Sequence, residues 1–415
     1  MSEKKNTGKK AVIAVIVIAL IVVIIALAVV ISNKSKKDGS KSATEAGTET
    51  MRSGQFDIDY AKQVTKLADY SGVAITVSND YEINDTAKQT YLTNVLQSYG
   101  ADAYKQVTDR DTVADGDYVK VDYTGYKDGK AFDGGSATDV MLDVKNTSQV
   151  GGSSFIDGFT KPLIGAKVGD KVKGDVTFPE DYGNDDLNGQ TVTFEYTVKG
   201  IYSADPVALA DMTDEQVNTV FGKAGVTTNA QLTTQIEKDL KQQLYSAEVD
   251  KIKSYMIENS TVEIPDEYLQ ARLNEYIASF TKENVKDGQT LKKYLKSNYN
   301  MTVDQATEKW KENLTDQIKT EFIFGLIAEK ENIKMDDDAF NSYVDYIVSA
   351  SNGQFSKASE VYKYFGSGHK DEGKTYLKNQ YLVNKAIDTV TEKANVTFED
   401  GSAAPDTSSG SADAE

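Results

Sequence analysis

The sequence predicts an α+β protein in which a small antiparallel sheet lies between two α-helical regions, preceded by an N-terminal transmembrane helix. Three observations predict this class. Residues 11–31 are all apolar. Apolar residues alternate with a period of two between about residues 115 and 202, which is typical of half-buried strands. After residue 206 the apolar residues recur with the 3.6-residue period of amphipathic helices.

The length and the composition of the chain narrow the classes of function that it can have. The chain has 415 residues, more than one compact core usually organises, and a formal charge of -18. Its first fifty residues carry eight lysines and four acidic residues, so the remainder carries about -22. This sign argues against a nucleic-acid partner, because phosphate binding requires clustered Lys and Arg. The chain has no cysteine and one histidine, which excludes disulfides and argues against histidine-based catalysis; no cofactor and no metal are expected.

The N-terminal segment predicts a membrane anchor. A helix over residues 11–31 would be about 31 Å long, close to the hydrocarbon thickness of a bilayer. The alternative is a cleaved signal peptide processed at residues 26–28, but the apolar run continues past that point. Residues 1–10 would form a short tail and residues 32–54, rich in Ser, Lys, Gly and Thr, a flexible tether. This pattern predicts a single-pass protein of the cell membrane with an extracytoplasmic body.

The body divides by its hydrophobic period. Residues 55–112 predict helices around a short strand, and residues 113–203 predict a sheet domain. Alternating runs predict strands over 117–126, 171–178 and 191–202, and the first run ends at a "KDGK" hairpin turn. Glycine-rich stretches separate these strands.

Residues 204–398 predict an α-helical domain. The run "EYLQARLNEYIASF" places its apolar residues on one helical face, and "EKWKENLTDQIKTEFIFGLIAEKENI" does the same over a longer span. Further helices are predicted near 340–350 and 374–394. The aromatic residues of these helices are expected in the core, and the alternative is a surface that binds client chains. Residues 399–415 predict a disordered acidic tail.

Several motifs occur in a fixed order across nearly ninety residues of the sheet domain. They are "GDYVKVDYTG" (116–125), "AFDGG" (131–135), "FIDGF" (155–159), "LIGAKVGDK" (163–171) and "DVTFPEDYGNDDLNG" (175–189), followed by the strand "TVTFEYTVKGI". This block resembles the FKBP-type peptidyl-prolyl isomerase domain, in the version found within trigger factor. The later segments "IPDEYLQARLNEYI" and "IAEKENI" resemble the C-terminal chaperone region of trigger factor.

The resemblance implies an FKBP-like antiparallel half-barrel wrapped on one short helix, with an apolar pocket for a prolyl ring. The pocket residues carried over from the family are Tyr123, Phe132, Asp133, Phe155, Ile156, Phe159, Tyr182 and Phe194. Phe159 stands where many members have tryptophan at the pocket floor, and Tyr182 is expected near the rim. The segment between Met141 and Phe155 is longer than in typical members, so the entrance is expected to differ.

The "FDGG" run would form one side of this pocket. Phe132 would line the wall, and Asp133 would be a fixed polar group that hydrogen-bonds to Tyr123. Gly134 and Gly135 would let the backbone turn away without covering the pocket. The alternative is a strand end with a buried phenylalanine and an aspartate that caps a turn.

The sequence therefore predicts a foldase, an isomerase and chaperone that acts on unfolded or newly exported proline-containing polypeptides at the membrane. Ribosome binding is not expected, because the family's ribosome-docking loop is missing from the start of the chain. A non-catalytic holdase, with the FKBP-like domain as a binding module, is the alternative; the presence of Tyr123, Phe132 and Asp133 favours catalysis. A surface adhesin or solute-binding lipoprotein would predict a lipobox cysteine or repeats, and the sequence has neither.

Overall fold

The computed structural model describes residues 51–96, 104–205, 207–286 and 288–407. The α-helices are α1 (Tyr60–Gln63), α2 (Asp85–Leu96), α3 (Asp214–Phe221), α4 (Asn229–Asn259), α5 (Asp266–Asn284), α6 (Leu291–Tyr299), α7 (Val303–Lys330), α8 (Asp337–Ala350), α9 (Ala358–Phe365) and α10 (Lys370–Glu392). The strands are β1 (Val64–Lys66), β2 (Ala74–Val77), β3 (Tyr118–Lys127), β4 (Lys130–Asp143), β5 (Ser148–Gln149), β6 (Lys171–Thr177), β7 (Thr191–Tyr202), β8 (Thr261–Val262) and β9 (Asn395–Phe398).

The chain forms two compact units, and they differ from the domains that the sequence predicts. Among the described residues, the sheet unit lies within Ile83–Leu240, and the helical unit combines residues 51–82 with residues 241–407. The predicted boundaries followed residues 112 and 203 instead. The difference has a physical cause inside the sheet unit: Leu92 and Leu96 of α2 and Val217 of α3 share a hydrophobic cluster with Met141 of β4. Helices before and after the sheet therefore belong to its unit.

The sheet unit is built on five strands in the order β5-β4-β3-β7-β6, each antiparallel to its neighbours. The predicted alternation places Val119 and Val121 of β3 and Val198 of β7 in the core. In place of the predicted short helix, Lys161–Leu163 form one turn of 3-10 helix. This turn packs on β6 at Gly174, where an added Cβ would lie 2.0 Å from Cγ of Pro162.

The helical unit packs around α7. Ile318, Phe322 and Ile323 of α7 are almost fully buried in one cluster with residues of α4 and α10. Two small sheets connect distant parts of the chain: β1 pairs antiparallel with β8, and β2 pairs parallel with β9. A buried ion pair also joins two helices, because the guanidinium of Arg272 on α5 donates to both carboxylate oxygens of Glu321 on α7, at 2.8 and 3.1 Å.

The segments predicted as tether and tail contain ordered residues. Arg52 donates two hydrogen bonds to the carboxylate of Glu372, although the tether was predicted to reach residue 54. At the other end, Ala404 N–H donates to the Val396 carbonyl, and the Thr407 hydroxyl donates to buried Glu248 at 2.6 Å. The predicted disordered tail is therefore corrected for residues 399–407. Residues 408–415 lie outside the described residues.

The prediction of a membrane-spanning helix in the fold is corrected. The segment concerned, residues 11–31, lies outside the described residues. In the part of the chain that the structure does describe, none of the helices combines the length and apolarity needed to cross a bilayer. The two longest, α4 and α7, carry charged residues along their length and bury only part of their surface. The described fold is α+β, with a sheet unit and a helical unit.

Replacing Gly174 with alanine tests how the 3-10 turn is held. The added methyl would overlap the Pro162 ring, so we expect Gly174→Ala to lower the free energy of unfolding of the sheet unit by about 1–3 kcal/mol, the usual cost of overpacking. Hydrogen exchange of the β6 and β7 amides measures this. Lys171→Ala, at an exposed position of the same strand, is the control. Equal protection in both variants would show that the Pro162 contact does not hold the turn.

Candidate active site

A bulge in β4 positions the first predicted site residues. Thr124 of β3 pairs with Ser136 of β4, and Tyr126 pairs with Ala131. One residue of β3 therefore lies opposite the four residues 132–135, the "FDGG" run. Gly134 has a φ of 78°, a conformation that most residues adopt only with strain. The strand thus continues through this run, and the bulge directs the side chain of Phe132 onto the face of the sheet.

Two glycines make room for the ring of Phe132. A Cβ at Gly125 would lie 2.6 Å from this ring, and a Cβ at Gly135 would lie 2.7 Å from it. The sequence predicted that Gly135 lets the backbone turn away from the pocket. Its role in the structure is instead a close approach between backbone and ring.

Aromatic rings from three strands and one loop form a single cluster. The ring centroids of Phe132 and Phe194 are 6.0 Å apart, and those of Phe194 and Phe159 are 4.8 Å apart. Tyr123 lies 5.1 Å from Phe159 in an edge-to-face arrangement. Such pairs are favourable beyond the area that they bury. The structure therefore brings together four of the predicted site residues: Tyr123, Phe132, Phe159 and Phe194.

Tyr196 supports this cluster, and the sequence analysis missed it. Its hydroxyl donates a hydrogen bond of 2.6 Å to the carbonyl oxygen of Phe159, which fixes the loop that carries the predicted floor. Tyr196 is 1% exposed, and burial raises the pKa of its hydroxyl far above the ordinary value. The alternation of side chains along β7 could have identified Tyr196, because Phe194 and Tyr196 are two residues apart and share one face of the strand.

Phe155 covers the predicted floor. Its ring is stacked on Phe159 with centroids 4.3 Å apart and an interplanar angle of 8°. This spacing is direct contact, so no second ring fits between them. The neighbouring Ile156 is half-buried and packs against the same cluster. Phe159 is only 1% exposed, so a prolyl ring that is to lie on it must displace Phe155.

Two predicted site residues lie at the edge of the cluster. Asp133 is exposed and makes no hydrogen bond to Tyr123 in the described structure, so that expected contact is corrected. Its position on the outer side of the bulge explains this. Tyr182 is 47% exposed and packs edge-on against Phe178, with centroids 4.5 Å apart. Phe178 in turn lies 6.3 Å from Phe132, and it is a second cluster residue that the sequence analysis missed.

The site has little charge. Burial, with a smaller contribution from nearby Tyr182, raises the pKa of Tyr123, so its hydroxyl stays protonated at neutral pH and can donate a hydrogen bond. Within residues 51–96, 104–205, 207–286 and 288–407, no group of His, Asp and Glu is arranged to hold a metal ion. The arrangement can bind an apolar ring and offer one hydroxyl donor beside it.

Comparison with known proteins gives matches in both units. A model of the FKBP-type peptidyl-prolyl cis-trans isomerase matches residues 110–199, and a model of the bacterial trigger factor C-terminus matches residues 227–392. The trigger factor of Agathobacter rectalis is 28% identical over 330 residues, which are 79% of this chain and 69% of the relative. That of Clostridium botulinum (strain Eklund 17B) is 29% identical over 276 residues, 66% of this chain and 62% of the relative, so this match covers less than two thirds of the relative.

A solved structure of the trigger factor chaperone is also similar. It is 18% identical and covers 79% of this chain and 72% of that chain, with a TM-score of 0.42. A similarity at that score supports no further inference.

The matched range 110–199 contains the bulge and every ring of the aromatic cluster. This match supports an FKBP-type peptidyl-prolyl cis-trans isomerase activity and confirms the predicted enzyme class. With the trigger factor C-terminal match beside it, the chain is similar to trigger factors in both regions, which confirms the predicted resemblance.

The predicted location is corrected by the same findings. The sequence predicted a single-pass protein of the cell membrane with an extracytoplasmic body. The relatives named above are trigger factors, and none of the helices in the described ranges could cross a membrane. The membrane partner and the membrane location are therefore withdrawn.

Removing the Phe155 ring tests whether it covers the floor. We expect Phe155→Ala to bind a proline-containing peptide about fivefold more tightly, because an aromatic pair worth about 1 kcal/mol no longer has to be broken. Calorimetric titration of the full chain measures the Kd. Ile164→Ala is the control, since Ile164 is an aliphatic residue of the sheet unit that is 47% exposed. Weaker binding by Phe155→Ala would show that Phe155 is a wall of the pocket and not its cover.

Proposed function

We propose that the sheet unit isomerises X-Pro bonds in unfolded polypeptides, and that the helical unit binds those polypeptides. The observation that carries this proposal is the aromatic cluster, in which the rings of Phe132, Phe159 and Phe194 pack against one another. The matches to both the isomerase family and the trigger factor C-terminus support a combination of the two activities. The predicted absence of ribosome binding concerns the start of the chain and stays a prediction.

The chemistry needs no nucleophile. Rotation about an X-Pro bond is opposed by the loss of amide resonance, a barrier of about 18–20 kcal/mol, and takes tens to hundreds of seconds unaided. Water favours the planar, more dipolar amide over the twisted one. An apolar site removes this advantage, and binding energy realised only in the twisted form lowers the barrier.

The proposed roles follow from position. Phe132 and Phe194 would hold the prolyl ring from the side of the sheet, and Phe159 would lie beneath it once Phe155 moves away. The protonated hydroxyl of Tyr123 would donate to a carbonyl oxygen of the bound peptide. The exposed carboxylate of Asp133 would accept from a peptide N–H at the rim. Ile156 and Tyr182 would complete the apolar border.

The non-catalytic holdase is the second candidate. The observation that favours it is the stacked pair of Phe155 and Phe159, which occupies the floor of the site. An isomerase must open this pair in each cycle. A holdase needs only the exposed apolar edges. The two functions differ in whether the cluster accelerates isomerisation, so one variant with two measurements separates them.

Truncating Phe132 in the full chain is that variant. We expect Phe132→Ala to lower kcat/KM for a proline-containing peptide by at least tenfold, about 1.4 kcal/mol of transition-state binding, because one side of the site is lost. Suppression of aggregation of an unfolded client should stay unchanged, because it would depend on the helical unit. Tyr81→Ala, which removes an exposed ring of the helical unit, is the control for loss of an aromatic side chain.

Two outcomes would contradict the proposal. Full isomerase activity in Phe132→Ala, with the fold intact by circular dichroism, would show that the site lies elsewhere. A wild-type protein that suppresses aggregation but does not accelerate isomerisation would be a holdase.

A further inference from the structure

The helical unit contains a cavity of about 160 Å³ between α5, α7, α9 and α10. Aromatic rings form much of its wall, among them Tyr276 and Phe280 of α5 and Tyr364 and Phe365 of α9. A cavity of about 150 Å³ holds one benzene molecule. This one therefore has room for a single large side chain and not for a folded segment.

Two carboxylates line the same cavity and have only neutral partners. Glu275 accepts hydrogen bonds from the N–H and the hydroxyl of Ser53, at 2.9 and 2.5 Å. Glu283 accepts one from the hydroxyl of Tyr364 at 2.9 Å. Neither carboxylate forms an ion pair with a described residue. Each is a charge-assisted acceptor with capacity left for a cationic donor.

The positive charge in the wall is already neutralised. Among the described residues that line the cavity, Arg272 is the one cation, and the carboxylate of Glu321 binds it through two hydrogen bonds. Its guanidinium also lies 5.3 Å from the ring of Tyr376 and 5.8 Å from that of Tyr268. The wall of the cavity thus has a net negative charge. One cation in this wall, Arg272, is already bound by a carboxylate and by aromatic rings.

We propose that this cavity binds the cationic side chain of an unfolded polypeptide, with lysine as the fitting residue. The aliphatic stem would pack on Tyr276 and Phe280, and the ammonium group would reach Glu275 or Glu283, which lie eight residues apart on α5. An apolar side chain would remove water from the two carboxylates without replacing their hydrogen bonds, which is unfavourable. The inference rests on the proposed binding of unfolded polypeptides by the helical unit and gives that binding a preference for lysine.

The chain contains its own reporter for this site. Trp310 is its one tryptophan, and its ring lies 4.9 Å from Phe280 and 5.5 Å from Tyr276. Both of these rings line the cavity. A side chain that enters the cavity must alter the surroundings of Trp310, so its emission reports occupancy in the full chain without a label.

The test compares two unfolded peptides that contain no proline and no tryptophan and differ at one position, lysine against norleucine. Norleucine keeps the aliphatic stem and lacks the ammonium group. We expect the lysine peptide to bind about five- to tenfold more tightly when Trp310 emission is titrated. The double variant Glu275→Gln, Glu283→Gln should lose this preference, because its amides keep the hydrogen bonds and lose the charge. Glu312→Gln, at an exposed position of α7, removes a carboxylate elsewhere and should keep the preference.

Each other outcome overturns a stated part of the proposal. Equal affinities for the two peptides in the wild type would end the cavity inference and leave polypeptide binding standing. If the preference for lysine survives in the double variant, charges other than Glu275 and Glu283 cause it. The same conclusion follows if Glu312→Gln loses the preference to the same extent. Binding of free n-butylamine as tightly as the peptide would identify a small amine as the ligand. If neither peptide binds, the proposed binding of unfolded chains fails as well.

Discussion

The missing side chain of Gly125 is the constraint on which the aromatic site depends. Gly125 lies in β3, the strand between β4 and β7, and an added Cβ would lie 2.6 Å from the rings of both Phe132 and Phe194. The two rings come from the two neighbouring strands and meet over this one residue. Any side chain at this position would push them apart. The bulge in β4 and the close approach at Gly135 also allow the contact between the rings of Phe132 and Phe194.

The cluster and the cavity use aromatic rings in different ways. In the sheet unit the rings pack edge to face and create an apolar surface with one neutral hydroxyl donor at Tyr123. In the helical unit the rings surround charged groups: Arg272 lies against Tyr376, and Tyr364 donates to Glu283. An apolar surface suits a ring that must lose its water. Rings combined with carboxylates suit a cation that keeps its charge.

Local patterns explain what could be predicted from the sequence. Strands β3, β6 and β7 were predicted because their buried residues alternate, and "FDGG" directed attention to Phe132. The four-residue bulge interrupts that alternation, so β4 was not recognised as one continuous strand. The hydrogen bond from Tyr196 to the carbonyl of Phe159 joins residues 37 positions apart, and the stacking of Phe155 depends on a loop. Such contacts depend on tertiary packing, and the local hydrophobic periodicity of the sequence does not predict them. The same holds for Arg52 and Thr407, whose segments look featureless until their distant partners are known.

The parallel pairing of β2 with β9 has a consequence for how the molecule is made. Thr76 faces Thr397 across this small sheet, 321 residues further along the chain. Strand β2 is therefore synthesised on the order of tens of seconds before its partner at usual elongation rates. The edges of β2 remain open during that interval, whereas the sheet of Ile83–Leu240 has all its strands by residue 202. The isomerase sheet thus has all its strands long before β2 meets its partner, and during that interval the helical unit is incomplete and resembles the unfolded chains that it is proposed to bind.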